Sequence, residues 1–413
     1  MRERSRRVFA LSAFVWAGES IYLLPYTLRR DYRGTLIEVL QLPDEAALGA
    51  IYSVFGALCL GAYVAGGWLA DRVSPRVLLP FSLALTAIGG GILATFPTSP
   101  MVLYALFALW AFSTILTFWA ALIKATRAWG GDSEQGRAFG LLDGGRGLVA
   151  AVAASVGLQL FAAQGGGATG LRAVIALYTA ACLIGAVATW FAVPGGSEEP
   201  EPPGERTDAS SGAKLRAVLR LPNVWLLGGV IFCAYTAYYG TFYFAGFAMA
   251  AHGQSAAGGA AVSVASGWLR ALVPVVAGLS ADRASSRNVI VASFAVLVVA
   301  FASMAALRPE VGGIGLLYVQ AATIAAAAFA LRGVYYALLE EGGLPTHLTG
   351  TAVGVVALIG YTPDVLTPYL WGVLLDARPG AAGYRTLFGS LAVSSLLGAF
   401  LAALHRRKRR SDL

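Results

Sequence analysis

Long apolar stretches dominate this chain and alternate with short polar segments. A helix that crosses about 30 Å of hydrocarbon needs about 20 apolar residues, and 413 residues hold about twelve such stretches. The pattern therefore predicts an all-α membrane protein. The predicted spans lie at 8–28, 46–70, 77–96, 101–123, 138–163, 171–193, 223–247, 256–280, 287–307, 313–338, 350–374 and 384–404.

A long polar segment at 195–221 interrupts this pattern. It is rich in Pro, Gly, Ser and Glu, a composition typical of a flexible linker. Its last part, 213–221, is basic and predicts a short helix on the membrane surface. We therefore predict an amino-terminal six-helix bundle at 1–194, a cytoplasmic linker at 195–221 and a carboxy-terminal six-helix bundle at 222–413.

Composition supports the membrane assignment, and charge sets the orientation. The chain is 57% hydrophobic and 13% charged, against roughly 25% charged residues in a soluble protein. The net charge is +8, and basic clusters lie at 2–7 and 406–410, beside apolar spans. The positive-inside rule then places both termini in the cytoplasm. Lipid headgroups explain these clusters without a nucleic-acid partner.

Segments in the two predicted bundles resemble each other. Residues 67–76 read GWLADRVSPR and residues 278–287 read GLSADRASSR. Two further pairs follow in the same order at nearly the same offset: GRAFG with GTAVG, and FWAALIK with VYYALLE. Three ordered matches favour two parallel, pseudo-symmetric halves of six helices each.

The loop after the second span resembles a signature of the major facilitator superfamily. It has the form G-x-L-A-D-R-x-x-x-R, with Ser74 where that family usually has Gly. The resemblance implies alternating access, in which this loop latches one conformation, and Gly67 permits close helix approach. The fourth span lacks the arginine usual in proton-coupled drug exporters. The predicted latch residues are Gly67, Asp71, Arg72, Arg76, Asp282 and Arg283.

Ionisable residues inside the apolar spans are the candidate site. A charge at a helix centre costs about 2.5–3.5 kcal/mol on insertion scales, so such residues normally face a cavity or a partner. Arginine binds carboxylates and phosphates with a planar fork. We expect Arg270 to hold an anionic substrate with help from Arg146 and Arg332. The alternative is internal pairing, because Asp143 and Arg146 are spaced i, i+3.

Glu19, Asp143 and Asp364 are the predicted proton-coupling residues. Glu19 lies in the middle of the first span. Asp364 lies between Pro363 and Pro368, which predicts a broken helix lining a cavity. The alternative for these acids is again a salt bridge between the halves.

Aromatic residues form the last candidate cluster. In the seventh span, Tyr235, Tyr239 and Tyr243 share one helical face by their i, i+4 spacing. Trp119 and Tyr335 occupy matching positions in the two halves. We expect Tyr235, Tyr239, Trp119 and Tyr335 to contact the substrate, although a packed helix interface would give the same pattern.

These features predict a secondary active transporter in a bacterial inner membrane, with protons as the candidate coupling ion in symport or antiport. The predicted partners are a small organic anion, such as a carboxylate or acidic sugar, and the lipid bilayer; no cofactor, metal or second subunit is expected. The sequence has no P-loop and no recognisable catalytic motif, so an enzyme is not expected. The rivals are a transporter of neutral or cationic compounds and a transporter-like receptor.

Overall fold

The computed structural model of this chain describes residues 2–131, 134–193, 216–283, 285–306, 312–338 and 349–404. Within these ranges eleven helices are long and apolar enough to cross a membrane. A further pair of helices, bent by 41°, counts as a twelfth span. The predicted all-α membrane fold is confirmed.

The twelve spans are numbered α1 to α12, and several contain short irregular segments. In the first half, α1 is Arg2–Tyr22, a π-helical turn at Leu23–Thr27 and Leu28–Val39; α2 is Glu45–Arg72; α3 is Pro75–Ala94; α4 is Pro100–Ala111, a π-helical segment at Phe112–Trp119 and Ala120–Gly130; α5 is Gln135–Ala163; and α6 is Gly167–Ala192. In the second half, α7 is Pro222–Gly240, a 3₁₀ turn at Thr241–Tyr243 and Phe244–His252; α8 is Ala256–Gly267, a 3₁₀ turn at Trp268–Ala271 and Val273–Arg283; α9 is Ser286–Ala306; α10 is Gly313–Val334 and a 3₁₀ turn at Tyr335–Ala337; α11 is Thr349–Gly360 and Pro363–Ala377; and α12 is Ala381–Leu404.

Local sequence explains where several spans begin. Proline opens α3, α4 and α7, a position where the missing N–H costs nothing. The Asp44 carboxylate caps α2 by accepting from the Ala47 N–H at 2.7 Å. The tight turn between α5 and α6 needs positive φ at 165–167, which only glycine adopts readily.

Each half has its own hydrophobic core. One buried cluster comes almost wholly from α1–α6 and the other from α7–α12. Large side chains such as Phe81, Ile184 and Phe400 are exposed on the outside, as expected where a helix faces lipid. The predicted domain boundary stays a prediction, because most of the linker lies outside the described residues. Residues 216–219 form a helical turn.

The two halves meet on the outer, non-cytoplasmic side of the membrane. The Asp376 carboxylate of α11 accepts from the Glu45 and Ala46 N–H groups at 3.0 and 2.8 Å, which fastens it to the start of α2. Elsewhere on this side, the Trp268 indole of α8 donates to the Ser155 hydroxyl of α5 at 3.1 Å. The outer side is therefore closed by contacts between the halves.

The cytoplasmic loop residues do not form the expected latch in this conformation. Arg72 lies 4.0 Å over its own helical neighbour Trp68, and Asp71 has no ion pair among the described side chains. A Cβ at Gly67 would meet no atom within 4 Å, so no helix approaches closely there in this conformation, and the role of Gly67 stays a prediction for the opposite one. The halves close on the opposite side, which is the arrangement of an inward-facing conformation.

For the other predicted latch residues, the contacts that the structure describes stay within one half. Arg76 lies 5.4 Å over Trp190, which belongs to the same half. Arg283 is exposed, and the side chain of Asp282 falls outside the part that the structure describes. The latch role of these residues remains a prediction for the opposite conformation.

One span is longer than the sequence predicts, and another has the predicted break. The first was predicted at 8–28, but α1 continues to Val39 because the charges after residue 28 are buried between helices. The predicted break in α11 is confirmed and lies at 361–362, immediately before Pro363. Proline at the start of the second segment lacks the N–H that would continue the helix.

Candidate functional site

A cavity of 240 Å³ lies between the two halves. Its position near the midplane suits a substrate site reached alternately from each side. The Asp143 side chain, on the cytoplasmic half of α5, is 67% exposed, so the cavity opens toward the cytoplasm. Charged and aromatic side chains from both halves line the cavity, among them Glu19, Tyr22, Arg30, Trp119, Asp143, Arg146, Tyr235, Tyr238, Tyr239, Arg270, Arg332, Tyr335 and Tyr361.

Irregular helix segments form much of the cavity wall. The π-helical segments of α1 and α4 and the 3₁₀ turns of α7, α8 and α10 each contribute at least one lining residue. Non-helical hydrogen bonding at membrane depth is tolerated where it lines a cavity, and π segments recur at functional sites. Four of these five helices, α1, α4, α7 and α10, are every third helix along the chain; α8 is the exception.

An ion-pair cluster centred on Glu19 joins the two halves across the cavity. The Arg270 guanidinium of α8 donates to both carboxylate oxygens of Glu19 at 2.7 and 3.0 Å. Arg146 of α5 lies 3.4 Å from the same carboxylate. Arg270 is therefore not a free cation in this conformation. The sequence could not pair it, because its partner lies 251 residues away.

The predicted Asp143–Arg146 pair is present but loose. Their closest charged atoms are 3.7 Å apart. The Arg146 Nε instead donates to the Gly18 carbonyl at 2.8 Å, and its guanidinium lies within 5.5 Å of the Tyr22 and Trp119 rings. Arg146 is thus held by α1 more firmly than by its neighbour on α5.

Arg332 lines the cavity between tyrosine rings. Its guanidinium lies 4.2 Å from the Tyr238 ring centre and 5.4 Å from that of Tyr235. Among the described side chains, no carboxylate lies within ion-pair distance. Such cation–π contacts stabilise the charge but leave the N–H donors available for an anion. Glu340 and Glu341, the nearest acids along the chain, lie outside the described residues.

Tyrosines form the second-half wall of the cavity. Tyr361, at the break in α11, lies 4.9 Å from the Tyr235 ring and 3.0 Å, oxygen to oxygen, from the Tyr336 hydroxyl. The Tyr335 hydroxyl is 3.4 Å from that of Tyr361. Tyr243 does not share this face as predicted. The 3₁₀ turn at Thr241–Tyr243 breaks the helical periodicity and turns Tyr243 toward Arg33.

Asp364 lies behind the wall of the cavity. The Tyr239 hydroxyl donates to its carboxylate, and Asp364 itself is not among the lining residues. No arginine lies within ion-pair distance of it in the part of the chain that the structure describes. Tyr239 therefore connects the cavity to this carboxylate.

The sequence-based prediction missed four charged residues at the outer end of α1. Arg29, Asp31 and Arg33 are buried, whereas Arg30 lines the cavity and pairs with Asp31 at 2.7 and 2.8 Å. Arg33 pairs with Glu45. The low hydropathy of this segment suggested a loop; the adjacent opposite charges were the available signal for buried pairing.

Comparisons with known proteins agree with this architecture. Residues 8–368 match the Major Facilitator Superfamily. The chain is 26% identical to two inner membrane proteins of Escherichia coli (strain K12): YqcE, over 98% of this chain and 96% of that protein, and YihN, over 95% and 94%.

Solved structures also share the fold. The nucleoside transporter NupG superposes with a TM-score of 0.73 at 16% identity, covering 98% of this chain and 100% of that chain. A bacterial homologue of the human lysosomal transporter Spinster, inward-facing and unoccupied, gives 0.73 at 15% identity, with 97% of each chain covered. The chain belongs to the Major Facilitator Superfamily and is a multi-pass secondary transporter of the inner membrane, not an enzyme.

Proposed function

We propose that this transporter carries a small organic anion, of the carboxylate or acidic-sugar class, and that Arg332 is its principal anchor. Four arginines line the cavity. Arg30 is paired with Asp31 and Arg270 with Glu19, and Arg146 lies within reach of Glu19 and Asp143. Arg332 is the cation that these acids leave uncompensated, and a bound anion would complete the charge balance.

The rest of the cavity suits a small, polar anion. Hydroxyls of Tyr235, Tyr335 and Tyr361 border Arg332 and can hydrogen-bond to a hydroxylated substrate. The 240 Å³ volume is below the roughly 300–1,000 Å³ of pockets for drug-sized ligands. Arg146 and Arg270 remain proposed secondary contacts, which an anion would reach by competing with Glu19.

The anion proposal is tested by ligand-induced thermal stabilisation of the purified protein. The panel contains D-glucuronate, D-gluconate and L-lactate, with D-glucose and D-glucosamine as neutral and cationic counterparts. An anion at about 100 times its Kd is expected to add about 2.7 kcal/mol of stability. Arg332→Gln should abolish that response and Arg332→Lys should retain part of it, because lysine keeps the charge but loses the fork.

Arg172→Gln is the matched control for this experiment. Arg172 donates to the Ala94 carbonyl at the outer surface, away from the cavity, so its loss should leave the anion response unchanged. Stabilisation by glucose or glucosamine alone would contradict an anionic substrate. An unchanged anion response in Arg332→Gln would contradict the role of Arg332.

We also propose that Asp364, rather than Glu19, carries the coupled proton. Two arginines contact Glu19, so its carboxylate serves as the counter-charge that holds them in place. Asp364 contacts the hydroxyls of Tyr239 and Tyr235, both of which line the cavity, and it has no arginine within ion-pair distance among the described side chains. Asp364→Asn is expected to leave anion binding in place but to remove the pH dependence of uptake in proteoliposomes. Uptake that still follows an imposed proton gradient in this variant would refute the assignment.

A further inference from the structure

Arg29, at the outer end of α1, is a buried cation that the proposed cavity chemistry does not use. Its side chain is 0% exposed. The guanidinium carbon lies 4.3 Å from the Tyr52 ring centre, 5.5 Å from that of Tyr239 and 5.7 Å from that of Phe242. Arg29 is therefore enclosed mainly by aromatic rings.

The hydrogen-bonding capacity of Arg29 is largely unfilled. Its Nη2 lies 3.4 Å from the Tyr243 hydroxyl, whereas Nε and Nη1 have no hydrogen-bond partner among the described residues. No carboxylate lies within ion-pair distance in the described ranges. The neighbouring Arg30 and Arg33 each have one, Asp31 and Glu45. A buried charge without a counter-charge is costly to maintain, so Arg29 requires an explanation beyond packing.

The position of Arg29 supplies that explanation. Tyr239, Phe242 and Tyr243 belong to α7 in the second half, and Arg29 and Tyr52 belong to the first half. These groups meet on the closed outer side. When the halves separate there, Arg29 loses its hydroxyl partner and two of its three rings at once. The guanidinium then faces the outer opening of the same pathway with its donors free.

We propose that Arg29 is an anion-binding site of the outward-open state, which holds a carboxylate-bearing substrate at the outer mouth of the pathway. This inference rests on the proposed anionic substrate, and it adds a second site, distinct from Arg332. The two sites serve opposite conformations: Arg332 is accessible when the outer side is closed, and Arg29 only when it is open. An anion can thus meet an uncompensated guanidinium in both the inward-facing and the outward-open conformation.

Asp364 is the competing occupant of this site. Tyr239 donates its hydroxyl to Asp364 and places its ring near Arg29. A shift of α7 that removes Tyr239 from between them would let Asp364 approach Arg29. If the Asp364 carboxylate bound Arg29 in place of the substrate, Arg29 would show no preference for external anions.

The test measures charge preference at the site with small thiol reagents. The native Cys59, Cys182 and Cys233 are replaced by alanine, and Phe242→Cys places a thiol opposite Arg29. Right-side-out vesicles are then treated with sulfonatoethyl or trimethylammonioethyl methanethiosulfonate, which are anionic and cationic probes of similar size. We expect the anionic probe to react about tenfold faster than the cationic probe, relative to a free thiol in solution, because of the adjacent positive charge.

Matched variants assign that preference to Arg29. Arg29→Gln should remove it, Arg29→Lys should keep it, and Arg172→Gln, which removes an outer-surface arginine away from the interface, should not alter it. Size-exclusion profiles, and the preference kept in Arg29→Lys, show whether the loss of anionic preference in Arg29→Gln reflects misfolding. The site is refuted if neither probe reacts, if the probes react equally in the parent, or if Arg29→Gln keeps the preference. A preference that emerges only with Asp364→Asn would assign Arg29 to Asp364 instead.

This readout needs no transported substrate, so its result is separable from that of the thermal-shift panel. Failure of every anion to stabilise the protein would count against Arg332 and the substrate class. Failure of the labelling preference would count against Arg29 alone.

Discussion

Replacing Glu19 with glutamine is expected to destabilise the protein by about 3–5 kcal/mol, the usual cost of removing one partner from a buried ion pair. Glu19 is 2% exposed, and its carboxylate accepts two hydrogen bonds from Arg270 and lies near Arg146. The amide would leave Arg270 without a counter-charge and Arg146 with only its loose pair to Asp143. Arg270→Gln should also destabilise the protein, because it removes the guanidinium that donates to both oxygens of the buried Glu19 carboxylate. Thermal unfolding in detergent measures both effects.

The double variant Glu19→Gln/Arg270→Gln should be markedly more stable than the sum of the single effects predicts, because it leaves fewer unpaired charges. A double-mutant cycle gives the coupling energy directly. Glu134→Gln is the matched control: Glu134 pairs with Arg7 and Arg137 at the partly exposed cytoplasmic surface, where a pair contributes about 0–1 kcal/mol. Independent, additive effects at Glu19 and Arg270 would contradict the ion pair.

This cycle also separates two roles for the cavity arginines. If Arg270 mainly joins the halves, its loss should appear as lower stability that the Glu19 substitution partly restores. If Arg332 mainly binds substrate, its loss should appear as a missing ligand response in a protein of nearly normal stability. The two readouts differ because Arg270 has a carboxylate partner and Arg332 has none among the described side chains.

Replacing Gly56 with leucine is expected to abolish transport by holding the outer side open. A Cβ at Gly56 would lie 2.6 Å from the carbonyl carbon of Asp364, and Gly49 and Gly372 make similarly close backbone contacts between α2 and α11. A backbone group cannot move aside as a flexible side chain can. The leucine would therefore separate the two helices, and we expect uptake in proteoliposomes to fall more than about tenfold, since overpacking typically costs about 1–3 kcal/mol.

Gly61→Leu on the same helix is the control for this prediction. A Cβ at Gly61 would meet no atom within 4 Å, so the added side chain should be tolerated. Distances between spin labels at the outer ends of α2 and α11 should increase in Gly56→Leu and remain unchanged in Gly61→Leu. Normal uptake by Gly56→Leu, or equal loss in both variants, would show that this contact does not close the outer side.

The glycines near the start of α2 and those near its end differ in how closely another helix packs against them. The sequence motif pointed to Gly67 as the place of close helix approach, but that position is open in the inward-facing state. Close backbone contacts between the halves are instead made at Gly49 and Gly56, nearer the start of α2, where no motif marks them. A pattern can show that small residues are present, but only the packing of a distant helix shows which of them are needed.

The sequence by itself determined the number of spans, their all-α character, the orientation and the family. These depend on local properties: the length of apolar runs relative to the bilayer, the distribution of basic residues and a short loop motif. It also identified Glu19, Arg146, Arg270 and Arg332 as costly charges inside spans. Each of these properties is read along the chain and needs no knowledge of which distant helices pack together.

Only the tertiary structure decided which of these charges are paired. Arg270 meets Glu19 across 251 residues, Arg332 meets tyrosine rings and no described carboxylate, and Arg29 is buried at an interface beyond the predicted end of its span. Pairing depends on helices brought together by the fold, and the energy of a buried charge depends on that partner. The sequence therefore located the charges, and the packing of the two halves determined what each one can bind.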